Sequence, residues 1–392
     1  MPTRALAAVT VLLALLAAPA FAAEDVTLSA AVPLKTPRKT KDDRAGPADK
    51  VEVAMFIPGD SGPIRGAVVN LFNAKQVEQK HWQAFCRVHS LALIGSNHFG
   101  VRNEEYASSL QAALDEFAAK ANRPELKTVP LCLVGMSAGS GMARQMAMQA
   151  PDRTVAVAAV CLEVAPDADA LRPIPFLNVF GEKDGKQMPL HLEKLPVQRK
   201  AGANWGIAVQ WGRGHEFALA NNLVMPFFED ALRQRLPEKT EPGKPPVLAA
   251  APQAGVWLGD VSGWAEKKHV GAIAPASDYK GDATAAAWFP SARIAHAWRA
   301  LVSADKAVQI KEPAGLGDGQ PFSPLPAGKP VKVVVEATKP GVTKVELFDG
   351  DVRLGAKDGS AGEFEVTLTP GSHPLIAVAH TAEGPVYSKP NT

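Results

Sequence analysis

Residues 129–150 read VPLCLVGMSAGSGMARQMAMQA. The opening apolar run is typical of a buried strand, and the residues from Ser140 onward have helical character. The junction carries a Gly-x-Ser-x-Gly pattern, which between a strand and a helix indicates a tight turn that exposes a nucleophilic serine. Gly135 and Gly139 have no Cβ, so the strand and the helix can approach closely on both sides of Ser137. The stretch therefore predicts Ser137 as a nucleophile beside the free N–H groups of a helix N-terminus.

Similar apolar runs recur through residues 51–236, with helical patterns between them. Near-continuous apolar runs indicate parallel strands that are buried on both faces of a sheet. Their alternation with helices predicts a doubly wound α/β domain over residues 51–236. The connection that follows residue 162 is too short to hold a cap domain. The predicted strands are residues 51–57, 67–72, 91–94, 129–134, 155–162, 176–180 and 207–211.

A nucleophilic serine needs a base and an acid, and the chain offers both after later predicted strands. Asp184 closes the run Phe-Gly-Glu-Lys-Asp, and His215 lies in the loop Gly-Arg-Gly-His-Glu-Phe. His215 would take the proton from Ser137, and Asp184 would hold the imidazole in one orientation. Glu182 is the alternative acid. The structural alternatives are a solvated turn aspartate at Asp184 and a loop or capping histidine at His215.

The tetrahedral intermediate of acyl transfer needs two N–H donors. The backbone N–H of Ala138, directly after the nucleophile, is expected to be the first donor. The second is expected at the end of the predicted strand 67–72, from the backbone of Phe72 or Asn73.

Composition excludes several classes of function. The 392-residue chain has a formal net charge of +2, from 42 basic and 40 acidic residues, and no long basic run, so nothing favours a nucleic acid partner. Its three cysteines, Cys86, Cys132 and Cys161, cannot all pair within the chain, and we expect buried thiols. No Cys or His pair has the spacing of metal ligands, so we expect no metal and no cofactor.

The first residues have the features of a cleavable secretory signal. Arg4 provides a positive start, residues 5–18 are apolar, and Ala-Phe-Ala at 20–22 is a small-x-small cleavage site. We expect residues 1–22 to be removed and residues 23–50 to form a flexible lead-in. A membrane anchor is the weaker alternative, because the apolar run is shorter than the ~20 residues that span a bilayer. The sequence predicts a secreted or periplasmic protein without stable membrane insertion.

Beyond the α/β domain the composition changes. Residues 237–311 begin as a proline-rich linker and continue as an extension expected to pack on the α/β domain, and residues 312–329 predict a second linker. Residues 330–392 contain short alternating strands separated by Pro-Gly and Asp-Gly turns, which predict a small β-sandwich. We expect the tryptophans of the extension to be core residues, although a surface cluster could stack on sugar rings. They are Trp257, Trp264, Trp288 and Trp298.

Several of these stretches together resemble secreted esterases of the α/β-hydrolase superfamily, such as poly(3-hydroxybutyrate) depolymerases, feruloyl esterases and acetylxylan esterases. They are GMSAGSGMA at 135–143, PDR at 151–153, FGEKD at 180–184 and GRGHEF at 212–217. The resemblance covers roughly residues 51–235. It implies the triad Ser137, Asp184 and His215, with Ala138 as an oxyanion donor. The chain departs from the depolymerase motif at Ser140, where a second glycine is usual.

The tail has a resemblance of its own. KVELFDGDVRLG at 344–355 and PGSHPLIAVAHTAEG at 370–384 are similar to bacterial immunoglobulin-like modules, which usually serve as spacers or adhesive units.

Together these features predict an exported serine hydrolase that cleaves carboxylic esters through an acyl-enzyme. An uncapped cleft would admit bulky substrates, so a polymeric carbohydrate ester or a polyester is the expected partner. Two alternatives stay open: a serine peptidase of the same fold, and a non-catalytic hydrolase-like protein that binds at a surface.

Overall fold

The computed structural model describes residues 24–38, 47–162, 168–237, 244–269, 271–314 and 324–392. The predicted signal peptide, residues 1–22, lies outside them. Residues 39–46 of the predicted lead-in, 238–243 of the first predicted linker and 315–323 of the second also lie outside them. Among the helices of the described ranges, none is both long and apolar enough to cross a bilayer.

A mixed sheet of eight strands forms the centre of the molecule. In chain order its strands are β1 (Val26–Pro33), β2 (Lys50–Ile57), β3 (Gly66–Asn70), β4 (Leu91–Ser96), β5 (Leu131–Met136), β6 (Thr154–Val160), β7 (Phe176–Gly181) and β8 (Trp205–Gln210). In space they are ordered β1-β2-β4-β3-β5-β6-β7-β8, and β4, β3, β5, β6, β7 and β8 run parallel. Every residue of β3, β4, β6, β7 and β8 is buried, which explains their continuous apolar runs.

Within the described ranges, six α-helices connect and cover these strands. They are α1 (Lys80–His89), α2 (Tyr106–Lys120), α3 (Ala138–Gln149), α4 (Gln187–Lys200), α5 (Asn221–Arg235) and α6 (Ala292–Val302). Helices α2 and α3 contact each other, as do α5 and α6, while α1 packs on β4 and α4 packs on β7 and β8. This strand order, with helices between parallel strands, is the α/β-hydrolase architecture, as predicted. The described residues between β6 and β7 form no cap domain.

Two features of the first strands correct the sequence-based expectations. Residues 26–33, expected to belong to a flexible lead-in, form β1, which pairs antiparallel with β2. Only Ala30 and Val32 of this edge strand are buried, so its apolar signal is weak. Strand β2, expected to be parallel, is antiparallel to both β1 and β4. It is nevertheless covered on both faces, and burial alone does not reveal strand direction.

The residues after α5 pack closely against the sheet. A small sheet of β9 (Trp257–Gly259), β10 (Ile273–Pro275) and β11 (Ala287–Phe289) precedes α6. The Trp298 indole N–H donates to the carbonyl oxygen of Ile207 on β8, at 2.7 Å. Trp264, Trp288 and Trp298 are buried and occupy core positions, as expected, whereas Trp257 is half-buried and packs against the same core.

The carboxyl-terminal part is a β-sandwich whose two sheets enclose one apolar cluster. Its strands are β12 (Val308–Glu312), β13 (Pro330–Ala337), β14 (Lys344–Asp349), β15 (Val352–Asp358), β16 (Ala361–Thr367), β17 (Leu375–Thr381) and β18 (Gly384–Tyr387). Strand β12, which the sequence analysis placed in the extension and second linker, pairs with β13 and belongs to this unit. The sequence of β12 shows little strand-like alternation of apolar residues, because Val308 is its only buried residue.

A buried ionic cluster joins the sandwich to the α/β domain. Glu229 on α5 is fully buried, and its carboxylate accepts the Ser372 N–H at 2.8 Å and an Arg293 N–H at 3.2 Å. Arg293 on α6 also donates to Asp230 at 2.8 Å. Charges are stable in the interior only when they are paired and hydrogen-bonded, so this cluster fixes the sandwich at one position on α5 and α6.

We expect Glu229→Ala to lower the free energy of unfolding by roughly 3–5 kcal/mol, because Arg293 and the Ser372 N–H would lose a buried partner. Urea unfolding, followed by tryptophan fluorescence, measures the change. Glu363→Ala is the matched control, since Glu363 is exposed and pairs with Lys332 at 2.8 Å on the sandwich surface. Its expected cost is below about 1 kcal/mol. Equal losses in the two variants would contradict a stabilising role of the cluster.

Candidate active site

Ser137 occupies a strained turn between β5 and α3. Its backbone has φ 55° and ψ −120°, in the region that non-glycine residues rarely adopt. The Ser137 N–H donates to the Val160 carbonyl oxygen at 2.8 Å, which ties the turn to the end of β6. Such strain persists only where the surroundings impose it, and it is concentrated at functional sites.

The two glycines of the motif allow this turn. A Cβ on Gly135 would lie 2.3 Å from the Gly139 carbonyl carbon, and a Cβ on Gly139 would lie 2.0 Å from the Leu71 carbonyl oxygen. Real Cβ atoms do not approach backbone atoms so closely. The motif therefore lets β5, α3 and the residues after β3 meet at one point.

Ser140, where the related motif continues with glycine, is fully buried in this turn. Its Oγ lies 2.6 Å from the Gly135 carbonyl oxygen and 2.7 Å from that of Val160. The hydroxyl thus links the turn to β6, and the departure from the motif adds a hydrogen bond.

Asp184 and His215 are brought together from the ends of β7 and β8. His215 Nδ1 lies 2.9 Å from Asp184 Oδ1 and 3.0 Å from Oδ2. Asp184 is buried, and the Gln187 side-chain amide also donates to its carboxylate. His215 has 47% of its side chain exposed. A neutral imidazole that donates from Nδ1 to a carboxylate keeps Nε2 as a proton acceptor, which is the form a general base needs.

Backbone contacts hold the two loops side by side. The Lys183 N–H donates to the Arg213 carbonyl oxygen at 2.8 Å, and the Glu182 N–H donates to that of Gln210 at 3.1 Å. A Cβ on Gly181 would lie 2.2 Å from the Gly214 carbonyl oxygen, so this approach also requires glycine.

Glu182, the alternative acid, is engaged elsewhere. Its Oε2 accepts the Gly212 N–H at 2.9 Å, and its Oε1 lies 3.2 Å from Lys267 Nζ. The hydrogen bond from the Gly212 N–H lowers the pKa of the Glu182 carboxyl, and the neighbouring Lys267 ammonium lowers this pKa further. Of the two carboxylates, only Asp184 contacts the His215 ring.

The hydrogen-bonded pair of Asp184 and His215 does not include Ser137 in this structure. Within the described ranges its Oγ makes no hydrogen bond to the His215 ring. In enzymes without bound substrate the nucleophile–base contact is often long and shortens only when substrate binds. The acid–base pair and the strained serine therefore lie at the same edge of the sheet, where β5, β7 and β8 end.

The predicted N–H donors lie around the same turn. Ala138 begins α3, so its N–H has no partner within the helix. After β3 the Leu71 N–H still donates to the Val134 carbonyl oxygen at 2.8 Å, and Phe72 and Asn73 follow beyond this last contact. Phe72 is 60% exposed, and Asn73 accepts the Gln76 N–H at 3.2 Å. The close approach of Gly139 to Leu71 brings these residues against the turn.

Cys161 is a site residue that the sequence analysis missed. It follows β6, has φ 57°, and its Sγ lies 3.5 Å from the Glu216 carbonyl oxygen. Burial, with the neighbouring Asp184 carboxylate, raises the pKa of the Cys161 thiol to about 12. All three cysteines are free and buried, as expected, but Cys161 lies beside the Asp184 carboxylate. The position of Cys161 at a strand end, beside those of Ser137 and Asp184, was the available signal.

The same cluster is where a metal could bind. One ligand atom each from Cys161, Asp184 and His215 lies within 4.8 Å of the others in the described part of the chain. The residues come from three strand ends, so spacing along the chain does not reveal the group. Metal ligation requires a thiolate, which burial disfavours here, and the Asp184 and His215 atoms already bind each other. The set suits proton transfer better than metal binding.

Neither the protein-family models nor the curated proteins include a match to this chain. Among solved structures, a zinc-bound cold-adapted esterase from an Arctic intertidal metagenomic library is 15% identical, with a TM-score of 0.39 over 55% of this chain and 95% of the esterase. A ferulic acid esterase is 14% identical, with a TM-score of 0.35 over 50% of this chain and 92% of its own. An S-formylglutathione hydrolase from Staphylococcus aureus is 10% identical, with a TM-score of 0.34 over 52% and 95%. The assignment of function therefore uses the residues of this chain itself.

Two glycines of α3 provide a matched test of the turn. Gly139→Ala would force a Cβ against the Leu71 carbonyl oxygen, and we expect it to lower the free energy of unfolding by at least about 1–3 kcal/mol. At Gly141 a Cβ would meet nothing within 4 Å. Gly141→Ala should therefore be neutral or stabilising by up to about 1 kcal/mol. Urea unfolding compares the two variants, and a harmless Gly139→Ala would refute the close approach.

Proposed function

We propose that this protein is an exported serine hydrolase that cleaves carboxylic esters through an acyl-enzyme. Ser137 is the nucleophile, His215 the base and then the acid, and Asp184 the orienting acid. The observation that carries the proposal is the 2.9 Å hydrogen bond between His215 Nδ1 and the buried Asp184 carboxylate, at the edge where β5 ends in the strained Ser137 turn. Export rests on the predicted signal peptide, residues 1–22.

In the first half-reaction Ser137 Oγ attacks the ester carbonyl carbon while His215 Nε2 takes the hydroxyl proton. The Asp184 carboxylate stabilises the resulting imidazolium through Nδ1. The negative charge on the carbonyl oxygen is received by the Ala138 N–H and by a second N–H from Phe72 or Asn73. Collapse of the intermediate expels the alcohol, which takes the proton from His215, and leaves the acyl group on Ser137.

The second half-reaction repeats these steps with water. His215 Nε2 takes a proton from the water as its oxygen attacks the acyl carbon, and the same N–H donors hold the second oxyanion. Collapse returns the proton to Ser137 Oγ and releases the carboxylic acid. Because the imidazolium forms in both steps, the Asp184 contact contributes to both.

The substrate is proposed to be bulky. Only residues 161–175 connect β6 to β7, which is too short for a cap domain. A site at the carboxyl edge of the sheet that no cap domain covers would suit an ester carried on a polymer, such as a decorated polysaccharide or a polyester.

A fluorophosphonate probe tests the nucleophile without knowledge of the substrate. We expect the mature protein to form one adduct, located on Ser137 by mass spectrometry. His215→Ala should slow this labelling by roughly 10³-fold or more, because the base is lost. Heat-denatured protein is the control for non-specific reaction. Absence of labelling in a folded sample, or an adduct on another serine, would overturn the assignment of Ser137.

Exchange of each candidate acid for its amide tests the choice between them. We expect Asp184→Asn to lower kcat for p-nitrophenyl acetate by roughly 10⁴-fold, because the amide favours the wrong imidazole tautomer. Glu182→Gln should lower kcat by less than roughly tenfold, since it weakens a surface ion pair with Lys267. A large loss with Glu182→Gln and a small one with Asp184→Asn would make Glu182 the acid.

A further inference from the structure

A cavity of about 900 Å³ lies between the α/β domain and the β-sandwich. The α/β domain and its extension supply Trp211, Gly212 and His269 to its walls, and the sandwich supplies Pro385 and Tyr387. A volume at the upper end of the range for ligand sites suggests that it accommodates a large ligand. We call this space the interdomain cleft.

The walls of the interdomain cleft are held in place by direct contacts. The Asp305 N–H donates to the Tyr387 carbonyl oxygen at 2.9 Å. The Arg299 guanidinium carbon lies 4.7 Å from the centre of the Tyr387 ring. The Trp211 indole N–H donates to the Val302 carbonyl oxygen at 2.6 Å, and the Trp211 ring stacks on His269 at 4.2 Å. The aromatic groups are therefore preorganised, which lowers the entropic cost of binding.

The charge of the interdomain cleft is positive. Its two acidic side chains pair with lysines outside the lining, Glu182 with Lys267 at 3.2 Å and Asp305 with Lys339 at 3.5 Å. Of its five basic side chains, Arg213 pairs with Glu216, which is also outside the lining, at 3.5 Å. Because the whole chain carries a formal net charge of only +2, this is a local concentration of positive charge that favours an anionic ligand. The basic side chains of the lining are Lys183, Arg213, Arg299, Lys306 and Lys389.

The interdomain cleft also adjoins the candidate active site along the chain. Glu182 and Lys183 of its lining directly precede Asp184, and Gly212 and Arg213 precede His215. A ligand in the cleft therefore lies beside the two loops that carry the acid and the base.

We propose that the interdomain cleft binds a segment of an acidic polysaccharide, a chain of sugars that bear carboxylates. The basic side chains would pair with the carboxylates, while Trp211 and Tyr387 would pack against the sugar rings. Resting on the proposed esterase function, the inference extends to the substrate, which is an acyl ester carried on this polysaccharide. The sandwich is then one wall of the substrate site rather than a spacer.

Binding is tested on the full mature chain with Ser137→Ala, which cannot turn over an ester. Isothermal titration calorimetry with oligogalacturonate is compared with a neutral xylo-oligosaccharide of equal length. We expect the acidic oligomer to bind at least roughly tenfold more tightly, and its affinity to fall as salt rises, because exposed charges are screened.

Two charge reversals locate the site. Lys306→Glu, in the lining, should weaken oligogalacturonate binding by roughly tenfold. Lys357→Glu is the matched control, because Lys357 is an exposed residue of β15, at the edge of the four-stranded sheet opposite β18, and should leave the affinity unchanged. Equal affinities for the two oligomers, or equal effects of the two reversals, would overturn the proposal.

These outcomes are separable from the esterase proposal. A labelled Ser137 without preference for the acidic oligomer overturns the interdomain cleft as a polyanion site and leaves the esterase proposal intact. Acidic-oligomer binding that Lys306→Glu weakens, without labelling of Ser137, supports the interdomain cleft and makes the chain a carbohydrate-binding protein.

Discussion

The carbonyl oxygen of Leu71 occupies the space that a side chain at residue 139 would need. That contact, with the close approach of Gly135 to the Gly139 carbonyl group, brings β3, β5 and α3 together around the Ser137 turn. Ser137 has a φ of 55°, which non-glycine residues rarely adopt. Such strain persists only where the surrounding structure imposes it, so the packing of the sheet holds the Ser137 turn in this conformation.

The site is assembled by the parallel direction of the central strands. Because β5, β6, β7 and β8 all run the same way, the residues that follow them meet at one edge of the sheet. The loops after β7 and β8 are then locked together by backbone hydrogen bonds and by the glycine contact between residues 181 and 214. Polar groups that are distant in sequence, including the Cys161 thiol, thereby come within reach of one carboxylate.

The β-sandwich is fixed to the α/β domain. Glu229, Asp230 and Arg293 form a buried cluster that also binds the backbone of Ser372. Buried charges tolerate little displacement, because loss of any partner leaves an unpaired charge in the interior. The cluster therefore holds β18 opposite the loops after β7 and β8, and the interdomain cleft is the space that remains between them.

Local signals in the sequence were sufficient for the α/β architecture, for the strained turn at Ser137 and for the positions of Asp184 and His215 after β7 and β8, since apolar runs and glycine-dependent turns are properties of neighbouring residues. The edge strands β1 and β12 escaped prediction because one-sided burial leaves few apolar residues to form a pattern. The antiparallel direction of β2 was not predicted either, because a strand that is buried on both faces has the same apolar sequence pattern in either direction. The contact of His215 with Asp184 rather than Glu182, the position of Cys161 beside that carboxylate and the positive interdomain cleft were decided by tertiary structure. Each depends on which strand ends and which domains are in contact. Contacts between residues far apart in sequence leave no pattern among neighbouring residues.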